Sequence, residues 1–192
     1  MPVFRTVTDA QSGEIKLEAV HQPLYDRAQI NSAGIRSFFQ NPAGRSQLET
    51  NVQTAGQLSW PKRFSIKAFR AVPSFSALAT DLMSYFDNSV FRCNVGEKQY
   101  LVLPAMMITP GVGLELQLLT GAAAPLAPAN GQNYARHGRP EHRNIYALIH
   151  SIYVPPVQNF AVSVEVLSGV SLSVNGFYLW VYLEGELLRE IQ

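Results

Sequence analysis

The chain has 192 residues, with 15 Lys and Arg against 14 Asp and Glu, a formal net charge of +1, 15% charged residues and 47% hydrophobic ones. That length removes roughly 70% of the unfolded surface from water, and low charge with high apolar content excludes intrinsic disorder. The single cysteine, Cys93, excludes a disulfide framework or a zinc finger, and near-neutrality removes the counterion-release basis for nucleic-acid binding. A soluble monomer ordinarily keeps a well-charged surface, so this composition favours a chain whose outside is covered by other protein.

No segment approaches the ~18 to 20 uninterrupted apolar residues of a membrane-spanning helix, and the opening MPVFRTVTDAQSGEIK lacks the apolar stretch of a secretory signal. Residues 1–28 are polar and broken by Pro2, Gly13 and Pro23. They read as an arm or edge segment with a short strand at Glu14 to Val20, preceding a single domain over 29–192. Asn41-Pro42-Ala43-Gly44 is a turn. Phe64, Ile66 and Ala68 then alternate with Arg63, Ser65 and Lys67, and the alternation slips at Phe69, which is apolar where a polar residue is due. Leu78, Leu82 and Phe86, spaced i, i+4, i+8, predict one helix over about 76–87, capped by Ser76.

From Val90 onward the pattern is β. Val90 to Val95 and Gln99 to Pro104 flank a Gly96-Glu97 turn, and Leu114, Leu116 and Leu118 alternate with polar residues. Residues 121–142, rich in Pro, Gly and Ala, read as a long loop. Asn144 to Val154 is a strand ended by Pro155-Pro156; Phe160, Val162, Val164 and Val166 alternate in the next. Val170, Leu172 and Val174 alternate with serines, and Asn175-Gly176 then signals a hairpin. Phe177 to Leu183 is apolar on both faces, which predicts cover on both sides, with Tyr178, Trp180 and Tyr182 sharing one face. About eight short strands, turns rich in Pro and Gly, and one inserted helix predict an all-β sandwich or barrel.

Chemistry-bearing residues are few. His137, His142 and His150 suggest the ligand set of a cupin-like metalloenzyme, but Arg136, Arg139 and Arg143 stand among them and repel a cation. The three arginines are themselves a candidate anion contact. Ser59-Trp60-Pro61-Lys62 matches S-x-x-K without the helix start that motif needs. Cys93 sits mid-strand, where a small core residue is expected. Tyr178, Trp180 and Tyr182 would suit a sugar-stacking platform in a carbohydrate-binding or host-attachment module. The expectation is of no enzyme, no metal and no cofactor.

The run IYVPPVQNFAVSVEV (Ile152 to Val166) with FYLWVYLEGELLREIQ (Phe177 to Gln192) resembles the closing strands of single jelly-roll capsid proteins of tailless, membrane-containing icosahedral bacteriophages. SFFQNPAG (Ser37 to Gly44) and LETNVQTAGQLSWPKRFSIKAFRAV (Leu48 to Val72) are similar to the entry strands of such proteins. The resemblance implies an all-β jelly-roll β-sandwich and a structural role in a virion capsid, after synthesis in the host cytoplasm. It implies copies of the subunit itself as partners, in shells that can include a second capsid protein and an internal lipid membrane, with no sequence-specific nucleic acid. In that reading Phe38, Phe39 and Trp60 anchor the N-terminal segment at subunit interfaces. Tyr134 and the long loop reach a neighbour or form an outward-facing tower, and Tyr178, Trp180 and Tyr182 are covered by another subunit or by a second layer of this chain.

Overall fold

Period-two alternation of apolar and polar residues makes half-buried strands, and strands dominate the fold. The structure, a computed structural model, describes residues 3–9, 13–75, 77–108, 114–117, 134–137 and 144–191. The strands are β1 (Val3–Asp9), β2 (Gly13–His21), β3 (Leu24–Ile30), β4 (Gly34–Phe38), β5 (Arg63–Pro73), β6 (Ser89–Val95), β7 (Lys98–Pro104), β8 (Leu114–Gln117), β9 (Tyr134–His137), β10 (Tyr146–Val154), β11 (Phe160–Val166) and β12 (Phe177–Arg189). Helix α1 (Ala79–Asp87) lies between β5 and β6, and a 3-10 turn, Ala105–Met107, follows β7. None of the helices among the described residues is long and apolar enough to cross a membrane.

Among the described residues all strand pairs are antiparallel, and they form two main sheets. The six-stranded sheet runs β1-β2-β12-β5-β10, with β3 also on β12; the four-stranded sheet runs β4-β11-β6-β7; β8 and β9 pair separately. β12 organises the larger sheet. Its first half, Phe177 to Leu183, pairs with β3, its end, Glu186 to Arg189, with β2, and its other side with β5. The sheets close on one core. Phe64, Ile66, Phe69, Leu179, Val181 and Leu183 from one meet Phe38, Phe91, Cys93, Val162 and Val164 from the other. Phe69 and Phe91 meet edge-on across it with ring centroids 5.5 Å apart. The molecule is therefore an all-β sandwich with one small helix.

The slip in the alternation at Phe69 is a β-bulge. Glu184 pairs with Ala68 but Gly185 with Ile66, so Lys67 is the extra residue and the core face passes from Phe64 and Ile66 to Phe69 and Ala71. A Cβ on Gly185 would sit 1.9 Å from the Ser65 carbonyl oxygen, which is why glycine closes the bulge.

Some expectations are corrected. Helix α1 starts at Ala79 with Leu78 as its N-cap and no side-chain cap bond; Ser76 lies outside the described residues. It buries Ala79, Asp81, Leu82 and Tyr85; of the Leu78, Leu82, Phe86 stripe, Leu82 is buried, Phe86 packs partly buried against the core and Leu78 is exposed, while Tyr85 packs edge-on against Phe177 at 5.5 Å. The 121–142 stretch is not all loop, since β9 pairs there with β8; the rest of it lies outside the described residues. Val170 to Val174 is not a strand. Ser173 N–H donates to Asp81 Oδ1 at 3.0 Å, so α1 takes the backbone bond that a hairpin would have used. Gly176 remains necessary in another way. Its φ is +52°, and a Cβ there would lie 1.9 Å from the Ile30 carbonyl oxygen.

Candidate functional site

The alternation of β12 turns Tyr178, Trp180 and Tyr182 to the outer face of the six-stranded sheet, with Glu184 and Glu186 continuing the row. The neighbouring strands set cations among these rings. Arg27 of β3 pairs with Trp180 and Arg70 of β5 with Tyr182. The Arg27 guanidinium lies 4.3 Å from the centre of the Tyr178 ring and 5.3 Å from that of Trp180. Arg70 lies 4.8 Å from the Tyr182 ring. Both arginines are also ion-paired, Arg27 to Glu49 and Arg70 to Glu184.

Part of the cover expected over this face thus comes from the chain itself. Trp180 Nε1–H donates to the Leu48 carbonyl at 3.2 Å, drawing the connection between β4 and β5 over the ring. Tyr25, Leu48, Val72, Phe75, Trp180 and Tyr182 line a groove of about 420 Å³ beside it. The geometry suits a sugar platform poorly. A guanidinium occupies the ring faces, and the Tyr178 and Trp180 planes are inclined at 57°.

The connection is fixed by a buried carboxylate. Asp26 is 2% exposed. It accepts the Phe39 N–H and the Arg27 N–H, the latter at 2.9 Å, and pairs with Arg45 Nη1 at 2.6 Å. Burial pushes its carboxyl above the ordinary range, against the pull of those donors and of Arg45. Phe39, held at φ +68°, turns the chain out of β4 at this point. Sequence reasoning missed Asp26; the signal that marks it is a charge at the inward parity of Leu24-Tyr25-Asp26-Arg27-Ala28-Gln29-Ile30. Nothing local in the sequence shows that Arg27, Arg45 and Arg70 are brought to it and to the rings.

The other candidate residues separate. Phe38 and Phe39 are buried in the chain's own core, so neither has surface to offer a second subunit, as an interface role requires. The reason is that β4 crosses to the four-stranded sheet, where Phe38 pairs opposite Val162 and Phe39 packs on Phe160 at 5.5 Å. Trp60 is half exposed. Tyr134, Arg136 and His137 fall on β9, described here as backbone; Arg139, His142 and Arg143 lie outside the described residues. His150 is exposed on β10. No group of His, Cys, Asp or Glu among the described residues is placed to hold a metal. Burial pushes the Cys93 thiol up to about 12, so it has no thiolate character at neutral pH.

Apolar side chains also remain exposed on the surface. Ile149 is 95% exposed, Val174 94%, Phe75 77% and Leu48 72%. No protein-family model matches the chain, and no curated protein matches it in sequence.

Proposed function

We propose that this chain is a structural subunit that assembles with copies of itself, as a jelly-roll capsid protein in the shell of a tailless icosahedral bacteriophage. The observation that carries the reading is the apolar surface left after the sandwich has closed, headed by Ile149, Val174 and Leu48. Scattered apolar residues are normal on a surface. Here they accompany a net charge of +1 and 15% charged residues, so little repulsion separates one copy from another.

The connectivity supports the jelly-roll assignment. β3, β5, β10 and β12 lie in one sheet in the order β3-β12-β5-β10, and β4, β6, β7 and β11 in the other as β4-β11-β6-β7. The chain therefore crosses between sheets at nearly every connection, as two interleaved Greek keys do. Fold alone does not set function, so the test is assembly itself. Size-exclusion chromatography with light scattering, and electron microscopy of the same fractions, should find capsomers or larger particles. A clean monomer at high concentration would overturn the proposal.

A further inference from the structure

An open sheet has edges, and a bare edge is a row of backbone N–H and C=O groups ready to pair with another strand. Among the described residues this sandwich guards its edges unequally. β10 breaks register against β5 between Ala147 and Ile152, so its middle bulges out of the ladder. β7 opens with Lys98, ends in Pro104 and carries a register shift of its own. β4 has 5 residues and stops at the left-handed Phe39. The open side of β3 is roofed by the connection that follows β4. Thr50 bridges Asp26, Asn51 N–H donates to the Tyr25 carbonyl at 3.3 Å, and Arg45 donates to the Arg27 carbonyl.

β1 has none of these devices. Its 7 residues keep unbroken register with β2, from Val3 opposite Ala19 to Asp9 opposite Gly13. It contains neither Pro nor Gly, and Val3, Thr6, Val7 and Thr8 are β-branched. Val3, Phe4, Arg5, Thr6 and Thr8 are exposed. Its one cation, Arg5, is drawn to Glu186 at 2.6 Å instead of standing guard over the edge.

We propose that β1 is an assembly edge whose occupant is β1 of a second copy, paired antiparallel about a two-fold axis at Thr6. This names one contact of the assembly proposed above and rests on that reading. The pairing is isologous and makes one continuous sheet from two. Thr6 of one copy faces Thr6 of the other, Arg5 faces Val7, and Phe4 faces Thr8. No like charges meet directly, and the Thr–Thr and Phe–Thr pairs are ones that stabilise ladders. A 7-residue ladder is short, well below a standard interface. It is weak alone and gains strength by repetition around a closed particle.

Cross-linking tests the register. Facing Cα atoms of an antiparallel ladder lie ~4.5 to 5.5 Å apart, inside the ~4.4 to 6.8 Å reach of a disulfide. The native Cys93 is buried and does not compete. Full-length Thr6→Cys should form a disulfide-linked dimer under mild oxidation. Thr8→Cys should not, because in this register its two copies stand roughly 14 Å apart. Thr6→Glu, which sets two carboxylates face to face across the two-fold while standing opposite Lys16 of its own hairpin, should shift particles towards smaller species without lowering the thermal midpoint of the subunit. Cross-linking of Thr6→Cys no faster than that of Thr8→Cys overturns the edge contact. If the wild-type chain still forms capsomers, the assembly reading survives that loss; if it is a monomer throughout, both fall.

Discussion

Gly185 shows how sharply one residue can be specified. Its added Cβ would meet backbone, the Ser65 carbonyl oxygen at 1.9 Å, and the Phe64 ring tip at 3.0 Å. Backbone in the middle of a sheet cannot step aside, so Gly185→Ala should destabilise by on the order of 3 kcal/mol, the upper end for overpacking. Gly169 is the control. It has φ +86° and nothing within 4 Å, so Gly169→Ala should cost only the left-handed strain, about 1 kcal/mol. Urea unfolding followed by tryptophan fluorescence compares them, and equal costs would contradict the steric account. Glu186 is specified electrostatically. Its bonds to Arg5, at 2.6 and 3.1 Å, and to Lys67, at 3.3 Å, hold its carboxyl below the ordinary 4.5. A lowered folded value means stability that is complete above about 4.5 and is lost as pH falls through the folded pKa. Arg5 belongs to β1, so acid should loosen the hairpin first. Hydrogen exchange, corrected for intrinsic rates, should show β1 amides losing protection as pH falls below the ordinary 4.5, while β12 amides opposite β5 keep theirs. Glu186→Gln should remove that pH dependence. Asp26 has the opposite sign. Its raised carboxyl contributes stability below the ordinary 3.8 that is lost as pH rises through the folded value, so it is not the acid-labile group.

At the scale of elements, the connection between β4 and β5 is held as a roof by several bonds, of which those to the Asp26 carboxylate are the buried ones. Removing the Asp26 carboxylate leaves the buried Phe39 N–H without its acceptor and Arg45 without its partner. Asp26→Ala should therefore cost about 3 kcal/mol, the low end for breaking a buried pair, since Arg45 can turn to water. The same variant should open the connection to trypsin after Arg45 and Lys62. Unchanged cleavage would mean that the remaining bonds, from Trp180, Arg27, Thr50 and Asn51, suffice to hold it. These elements differ in how far the sequence announces them. Strands written as strict alternation, such as Phe160 to Val166, are legible because each residue's burial follows from its parity. The bulge was legible too, as the slip at Phe69. The buried face of α1 was not, because Leu78 completes a plausible stripe while sitting at the cap, and Tyr85 is chosen by Phe177, far along the chain. Val170 to Val174 misled for a related reason. Its alternation is genuine, but Asp81 offers its backbone a partner outside any sheet. The aromatic row on β12 was visible as a row, while the arginines stacked on it come from strands whose register no local pattern encodes.

For the whole molecule, the nature of the outer surface predicts how assembly responds to solvent. Contacts built from ion pairs weaken as the screening length shrinks from ~10 Å at 0.1 M salt to ~3 Å at 1 M. Contacts built from apolar side chains and backbone ladders do not, and kosmotropic salts strengthen apolar burial. With a net charge of +1 there is also little self-repulsion for salt to relieve. Light scattering across about 0.1 to 1 M sodium chloride should therefore show assembly constant or rising, and sulfate should promote it further. Dissolution by salt would assign the contacts to the arginine–carboxylate pairs of the sheet face instead. Ile149 and Val174, almost wholly exposed, give the matching mutational test. Glutamate at either position should leave subunit stability within about 0.5 kcal/mol, as surface substitutions do, so any loss of assembly reports contact between copies and not damage to the fold. If Ile149→Glu and Val174→Glu both assemble as the wild type does, that apolar surface is not where copies meet, and β1 becomes the principal contact left to account for the proposed assembly.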